Sequence, residues 1–222
     1  MKSCRDFRAD GREILGNSLF QRRWLFPLLA SLIISGITSL SSEFFILQPI
    51  IIGALNVGLA TYFLSLVRGA DGEEKNFRTL FFGFKDNFRR NLGVGLYLFI
   101  LTFIYLFLII FMVVVSIYIW PLFFFLPLPI YGYARVLLKY SMVYYVIVDN
   151  PEYGMWQALR ESAILTKGFR WKFFKLQLSF IGWVILCAFT FGVGFIWLAP
   201  YIIATNTAFY EQLKQEKEYF VL

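Results

Sequence analysis

The sequence predicts an all-α membrane protein with six transmembrane helices as three hairpins, each preceded by a cytoplasmic amphipathic helix. This fold class follows from the composition, the lengths of the apolar runs and the placement of the cations. Of the 222 residues, 59% are hydrophobic and only 16% are charged. Average proteins are about 45–50% apolar and about 25% charged. A soluble domain of this size could not bury so much apolar surface, because a sizeable fraction of any small domain stays in water.

The apolar runs set the number and bounds of the predicted spans. A helix needs about 20 residues to cross the hydrocarbon core, and the runs predict spans at about 24–41, 44–67, 92–118, 130–148, 172–191 and 195–210. The stretch from Leu92 to Val148 is longer than two spans need. Three prolines between Pro121 and Pro129 interrupt a regular helix there. Residues 121–129 are therefore either an apolar outer loop or a re-entrant segment that lines a cavity.

The cations predict the orientation of these spans. The net charge is +7, and 19 of the 21 Lys and Arg residues fall in four segments: 1–23, 68–90, 149–175 and the C-terminal tail. The positive-inside rule puts such segments in the cytoplasm. All four lie on one side only if the long apolar stretch crosses the membrane twice. Both termini are therefore predicted to be cytoplasmic.

Three charged segments are predicted to form interfacial amphipathic helices, at 1–21, 74–90 and 151–168. In the second segment, apolar residues follow a continuous helical stripe: Phe77, Leu80, Phe81, Phe84 and Phe88. Cations flank this stripe, a combination typical of a helix in the lipid headgroup layer.

Local signals fix the predicted ends of the other two amphipathic helices. Ser3 and Asp6 have the spacing of a capping box at the start of the first helix. Asp149 or Asn150 is predicted to cap the helix at 151–168. Asp149 and Glu152 could alternatively coordinate a cation, although capping is the preferred interpretation.

Basic pairs precede the first span of each hairpin and predict contact with lipid headgroups. These interfacial residues are Arg22, Arg23, Arg89, Arg90, Arg170 and Lys172. The cytoplasmic leaflet carries anionic lipid. The predicted partners are therefore the phospholipid bilayer, anionic lipid within it, and a second membrane protein.

Arg135 and Lys139 are the two cations inside an apolar stretch, four residues apart on one helix face. A cation at the bilayer centre costs at least about 2.5–3.5 kcal/mol. Either both side chains extend to the outer headgroups, with Glu43 or a lipid phosphate as partner, or they form an anion site in the bundle interior. The candidate polar site consists of Arg135, Lys139, Glu43, Asn56 and Asn206. For the two asparagines, hydrogen bonding between packed helices is preferred over a substrate path.

The residues that the chain lacks restrict its chemistry. There is no histidine, which excludes a histidine general base and a Ser-His-Asp triad. Two cysteines, Cys4 and Cys187, cannot form a cysteine metal cluster. The sequence therefore predicts no catalytic residue, no metal and no cofactor. Nucleic acid is also not expected, since the cations are divided among helix ends and form no single patch.

An ordered set of motifs carries a family resemblance. In the C-terminal part they are Tyr140-Ser141-Met142, Asp149 to Glu152, Ala158 to Ser162, Lys167-Gly168, Leu178 to Trp183, Thr190 to Gly194, Pro200-Tyr201 and Phe209 to Glu211. Upstream they are Gly58-Leu59-Ala60, Arg68-Gly69 and Leu80 to Lys85. Over about residues 50–213 this set resembles domain-of-unknown-function family 975, a bacterial family of small integral membrane proteins common in Gram-positive species.

The resemblance implies a bacterial plasma-membrane location and no known activity. The family is distantly similar to the membrane domain of some glycerophosphodiester phosphodiesterases, but their catalytic domain is absent here, so hydrolysis does not carry over. The chain departs from the family pattern at Tyr131-Gly132, where a Pro-Gly is usual. It departs again at Thr166 and Phe169, which replace a methionine and a histidine.

The function expected from these observations is that of a non-enzymatic multi-pass membrane protein. It would act through lipid or a membrane-protein partner, in an envelope accessory or immunity-type role. The alternative is a transporter or channel for a small or lipid-like anionic solute that uses Arg135 and Lys139.

Overall fold

The computed structural model describes residues 2–16, 22–41, 48–69, 77–85 and 87–221. Within these ranges the chain is helical and contains no strand. The α-helices are α1 Cys4–Leu15, α2 Arg22–Ser41, α3 Gln48–Val67, α4 Phe82–Lys85, α5 Phe88–Tyr118, α6 Pro127–Tyr140, α7 Val143–Asp149, α8 Met155–Leu165, α9 Arg170–Leu178, α10 Ile181–Phe189 and α11 Phe195–Val221. Two 3-10 helices lie at Phe77–Phe81 and Trp120–Phe125.

Three helical segments among the described residues are long and apolar enough to cross a membrane: Phe88–Tyr118, Trp120–Asp149 and Arg170–Phe189. Gly53–Val67 is a shorter apolar helix. The all-α class is therefore confirmed, and these helices indicate a membrane protein. The six-span arrangement and its three hairpins stay a prediction.

The main core lies where α3, α7, α8, α9 and α11 meet. Leu64, Val146, Leu159, Phe173 and Phe209 are buried in this one apolar cluster. By contrast, α5 leaves most of its apolar side chains open, as Phe107 and Ile110 are each more than 60% exposed. A continuous apolar surface of this kind is typical of a helix that contacts a membrane or another protein and not water.

The prolines between α5 and α6 begin helices. Pro121 lies in the first turn of the 3-10 helix Trp120–Phe125, and Pro127 lies in the first turn of α6. Proline is favourable there because the first backbone N–H groups of a helix have no partner within the helix. The α-helix is interrupted here as expected, because α5 ends at Tyr118 and α6 begins at Pro127, three residues before the predicted span at 130. Whether residues 121–129 form an outer loop or a re-entrant segment stays a prediction.

The predicted span 130–148 is two helices, since α6 ends at Tyr140 and α7 begins at Val143. At the break, the Lys139 carbonyl accepts hydrogen bonds from the hydroxyls of Ser162, at 3.2 Å, and Thr166, at 3.3 Å. Ser162 belongs to α8, and Thr166 is the residue that caps its C-terminus. They give a partner to one of the carbonyls that every helix leaves open at its C-terminus.

The amphipathic segment 74–90 is not one helix. Residues 74–76 lie outside the described part, and the segment continues as a 3-10 helix, as α4, and then as the start of α5. Asn87 has a left-handed φ of 39° and separates the last two. Leu80 is buried, whereas Phe81, Phe84 and Phe88 are exposed.

Close packing against α3 explains why this segment departs from a regular helix. A Cβ at Gly83 would meet the Ala54 carbonyl oxygen, and a Cβ at Gly58 would meet that of Leu80. Backbone therefore contacts backbone on both sides. The small residues of α3 serve helix packing, as small residues commonly do in membrane proteins.

The helix predicted at 151–168 covers only Met155–Leu165. Gln157 Oε1 accepts a hydrogen bond from the Gly154 N–H at 2.9 Å, so the helix begins four residues after the predicted start. Asn150 does not cap it, because its side-chain amide donates back to the Val146 carbonyl at 3.1 Å. The predicted cap at Asp149 or Asn150 is therefore wrong.

The first amphipathic helix, predicted at 1–21, is α1, and its capping box is confirmed. The Ser3 hydroxyl accepts from the Asp6 N–H at 3.3 Å, and the Asp6 carboxylate accepts from the Ser3 N–H at 2.8 Å. Its apolar face packs on α11, where the Phe7 and Phe209 rings lie 5.0 Å apart.

The last two predicted spans also differ from regular helices of the expected length. A turn at residues 179–180 divides the span predicted at 172–191 into α9 and α10. The span predicted at 195–210 is part of α11, which continues through the polar tail to Val221. The tail is thus helical in the part that the structure describes.

Candidate functional site

A charged cluster joins the ends of α3 and α7 to α11. Arg68 Nη1 lies 2.8 Å from Asp149 Oδ1, and Arg68 Nε lies 2.9 Å from Glu211 Oε1. Lys214 Nζ and the Tyr210 hydroxyl both donate to Asp149 Oδ2, at 2.8 and 3.0 Å. Three distant parts of the chain therefore meet at one carboxylate.

The cluster has a buried anion and accessible cations. The Asp149 side chain is 4% exposed, whereas Arg68 and Lys214 are 41% and 43% exposed. The hydrogen bond with Asp149 is the main reason that the pKa of the Arg68 guanidinium lies above its ordinary range. Because two cations and a phenol already bind Asp149, the structure favours neither helix capping nor cation coordination by this carboxylate.

Two of the predicted interfacial cations bind backbone carbonyls. Arg90, which is buried, donates from Nη1 to the carbonyls of Pro151 and Tyr153. Arg170 Nη2 donates to the Ala163 carbonyl at 2.9 Å, in the last turn of α8, where a cation is favourable. These residues hold the loops on either side of α8.

The other predicted interfacial cations have different surroundings. Arg89 is exposed at the start of α5, and Lys172 is half-buried in α9. Arg22 and Arg23 begin α2, but their side chains lie outside the described part of the structure.

The candidate intramembrane pair lies on α6. The Arg135 guanidinium lies 5.5 Å from the centroid of the Tyr131 ring, and Lys139 Nζ lies 4.8 Å from that of the Tyr140 ring. Arg135 is exposed and Lys139 is half-buried. Among the described residues, neither cation lines the cavity beside α1 and α10, the one beside the ends of α1 and α11, or the one at residues 79–85.

The described members among the other residues of the predicted polar site lie on other helices, Asn206 on α11 and Asn56 on α3. Asn206 Oδ1 accepts a hydrogen bond from Gln177 Nε2 at 2.7 Å, which joins α11 to α9. Asn56 is half-buried on α3. Glu43 lies outside the described residues.

A cavity of about 630 Å³ lies between α1, α2, α10 and α11. Its lining includes two arginines of α1, Arg8 and Arg12, and three tryptophans: Trp24, Trp183 and Trp197. Leu186, Cys187 and Leu198 complete an apolar wall. The volume lies within the range of small-molecule sites, about 300–1,000 Å³.

The sequence did not predict this cavity, because the segment 1–21 was expected to form a helix at the lipid surface. The available signal was Gly11 between the two arginines. A Cβ at Gly11 would meet the Thr205 hydroxyl oxygen, so the missing side chain lets α1 lie close against α11. A small residue on a predicted amphipathic helix is the pattern expected for helix packing and not for lipid contact.

Comparisons with known proteins give one match. Residues 124–217 match the family model described as "Protein of unknown function (DUF975)". No curated protein and no solved structure matches the chain, and the similarity to phosphodiesterase membrane domains stays a prediction. The matched region runs from the end of the 3-10 helix Trp120–Phe125 into α11 and contains Asp149, Glu211 and Lys214. The C-terminal part of the chain is therefore similar to domain-of-unknown-function family 975.

Proposed function

We propose that this chain is a non-enzymatic multi-pass protein of the bacterial plasma membrane, with both termini in the cytoplasm. It acts by binding lipid or a partner membrane protein. The observation that carries the proposal is that the charged groups and the apolar surfaces have separate roles. The charged residues with close contacts hold helices and loops together, whereas the widest surfaces left open are apolar.

The charged cluster supports the structural part of this division. Asp149 is bound by Arg68, Lys214 and Tyr210, and Arg90 and Arg170 bind backbone carbonyls. Groups that are paired in this way stabilise the fold. The absence of histidine from the sequence removes the most common general base.

The apolar surface supports the binding part. Large aromatic and aliphatic side chains are exposed along α5 and α6 and on the 3-10 helix between them. In the proposed orientation, α5, α6 and the 3-10 helix between them contact lipid or the helices of a partner. The Arg90 contact with Pro151 brings the start of α5 beside the residues that follow α7. This return agrees with the two crossings that the positive-inside rule requires.

The positions of Arg135 and Lys139 do not favour transport through a site formed by these two residues. A transport site needs polar groups on a cavity, and these two cations line none of the cavities described above. Their position beside Tyr131 and Tyr140 suits side chains that extend to the headgroup layer.

Native mass spectrometry of the protein extracted from its own membrane tests the proposal. We expect the full chain to retain phospholipid or a second membrane protein in stoichiometric amount. A chain that is released alone, with neither lipid nor partner under gentle activation, would contradict a binding role.

A further inference from the structure

We propose that the cavity between α1, α2, α10 and α11 binds a phospholipid with an anionic headgroup, with the lipid phosphate beside Arg8 and Arg12. This inference rests on the proposed function, because it names the ligand of a protein that acts through lipid.

In the proposed orientation the two arginines lie at membrane depth. Gly11, which lies between them on α1, packs against Thr205 of α11, and the Tyr201 hydroxyl donates to the Arg8 carbonyl at 3.1 Å. Thr205 precedes Glu211 by six residues, or about 9 Å of helix. Glu211 belongs to the charged cluster at the cytoplasmic end of the proposed bundle. Arg8 and Arg12 therefore lie alongside the proposed membrane-spanning part of α11.

Arg8 and Arg12 require a compensating negative charge at this depth. A cation at membrane depth is costly unless an anion or water compensates it. In the described ranges, neither Arg8 nor Arg12 forms an ion pair with a carboxylate. A lipid phosphate supplies the missing negative charge and accepts the hydrogen bonds that a guanidinium donates.

The polarity of the cavity changes along α11. The arginines flank Gly11, which packs against Thr205, and Gly194, which also lines the cavity, precedes Thr205 by eleven residues, or about 16 Å of helix. Between these levels the wall consists of Trp183, Leu186 and Leu198. A lipid of the cytoplasmic leaflet has the same polarity, with its headgroup toward the cytoplasm and its chains toward the midplane.

The α10 wall gives a lipid access to the cavity from the bilayer. Leu186 and Trp183 are 57% and 50% exposed, so the α10 wall is open on its outer side. Acyl chains longer than the cavity can leave it over α10 and remain in the bilayer. A free phosphate or a small soluble anion would leave this apolar wall uncovered.

The test compares binding of phosphatidylglycerol and phosphatidylcholine with identical acyl chains to the purified full chain by native mass spectrometry. We expect the wild type to prefer phosphatidylglycerol about tenfold, which is about 1.4 kcal/mol. The double variant Arg8→Gln, Arg12→Gln should lose this preference. Arg5→Gln is the matched control because Arg5 is exposed on the same helix and does not line the cavity.

A second variant covers the case in which the double variant fails to fold. Leu186→Trp fills the apolar wall from α10, and its exposed position tolerates a larger side chain. We expect it to reduce retention of both lipids without changing α1. Excess inorganic phosphate at constant ionic strength should not displace the lipid.

Three results would overturn the site: equal retention of the two lipids by the wild type, an unchanged preference in the double variant together with unchanged retention in Leu186→Trp, or displacement by inorganic phosphate. Lipid retained with its preference unchanged in the variants would place the lipid elsewhere and leave the proposed function intact. A wild-type chain that retains neither lipid nor partner from its own membrane would end the proposed function itself.

Discussion

At the scale of single residues, the important polar side chains are those with several partners. Asp149 accepts hydrogen bonds from three residues on two other segments, and Arg68 binds two carboxylates at once. The planar guanidinium suits this second role, because its donors point in fixed, divergent directions. Neither residue is distinguished by its position in the sequence, since both follow an apolar run at a helix end.

Replacing Asp149 by Asn should destabilise the protein by about 2 kcal/mol, because hydrogen bonds to charged groups contribute about 1.5–3 kcal/mol. The loss stays moderate because Arg68 and Lys214 are accessible enough to be hydrated once the carboxylate is gone. Unfolding in detergent at neutral pH measures the change. Glu152→Gln is the control, as Glu152 is exposed three residues further along. Equal stability of the two variants would contradict a bridging role for Asp149.

The capping box at Asp6 predicts a pH dependence for the docking of α1. The backbone hydrogen bond from Ser3 holds the pKa of Asp6 below its ordinary value of 3.8. Since the folded pKa is lowered, the stabilisation is fully present above 3.8 and is lost as the pH falls through the folded pKa. The fluorescence of Trp24, whose indole donates to the Gly16 carbonyl at the end of α1, reports this change. Asp6→Asn should remove the Asp6 contribution, and an identical acid transition in this variant would disprove it.

At the scale of elements, the helical periodicity of the sequence predicted where helices occur. It predicted less well which surface each helix contacts. In the segment predicted at 151–168, Leu159 and Ser162 lie on one buried face of α8, and the C-cap Thr166 is buried as well. The same reasoning failed at 74–90, where Gly83 and Gly58 draw the backbone against α3. A stripe of apolar residues does not distinguish a lipid surface from a protein surface, because both are apolar.

Gly58→Ala should destabilise the protein by about 1–3 kcal/mol, the usual cost of an overpacked contact. The added Cβ would meet the Leu80 carbonyl oxygen, which is backbone and cannot rotate away. Gly182→Ala in α10 is the matched control, since a Cβ there has no atom within 4 Å, and alanine favours helix over glycine. Thermal unfolding of both variants in the same detergent measures the difference. A Gly58→Ala protein as stable as the wild type would show that α3 is not closely packed here.

At the scale of the whole molecule, composition and cation placement were enough to predict a helical membrane protein. They could not predict which polar residues would meet. Arg68, Asp149 and Glu211 are separated by 81 and 62 positions, and only the folded chain brings them together. The members of the predicted polar site were chosen for being unusual within apolar runs, and three of the described ones have other neighbours: Arg135 and Lys139 lie beside tyrosine rings, and Asn206 bonds to Gln177. The cavity at α1 depends on packing that no single segment contains.

The proposed orientation predicts which positions are accessible from each side of the membrane. In a variant without native cysteines, Cys4→Ser and Cys187→Ala, single cysteines placed at Glu152 and Lys167 should react only with reagents that reach the cytoplasm. Both lie in exposed turns on either side of α8. Cysteines at Trp120 and Phe191, which are 72% and 99% exposed in the two turns at the opposite ends of α5 and α10, should react with an impermeant thiol reagent added to intact cells. The reason is the two crossings between Arg68 and Asp149, whose side chains are in contact. Labelling of Glu152 and Phe191 positions from the same side would show that α9 and α10 do not cross the membrane, and the proposed topology would have to be abandoned.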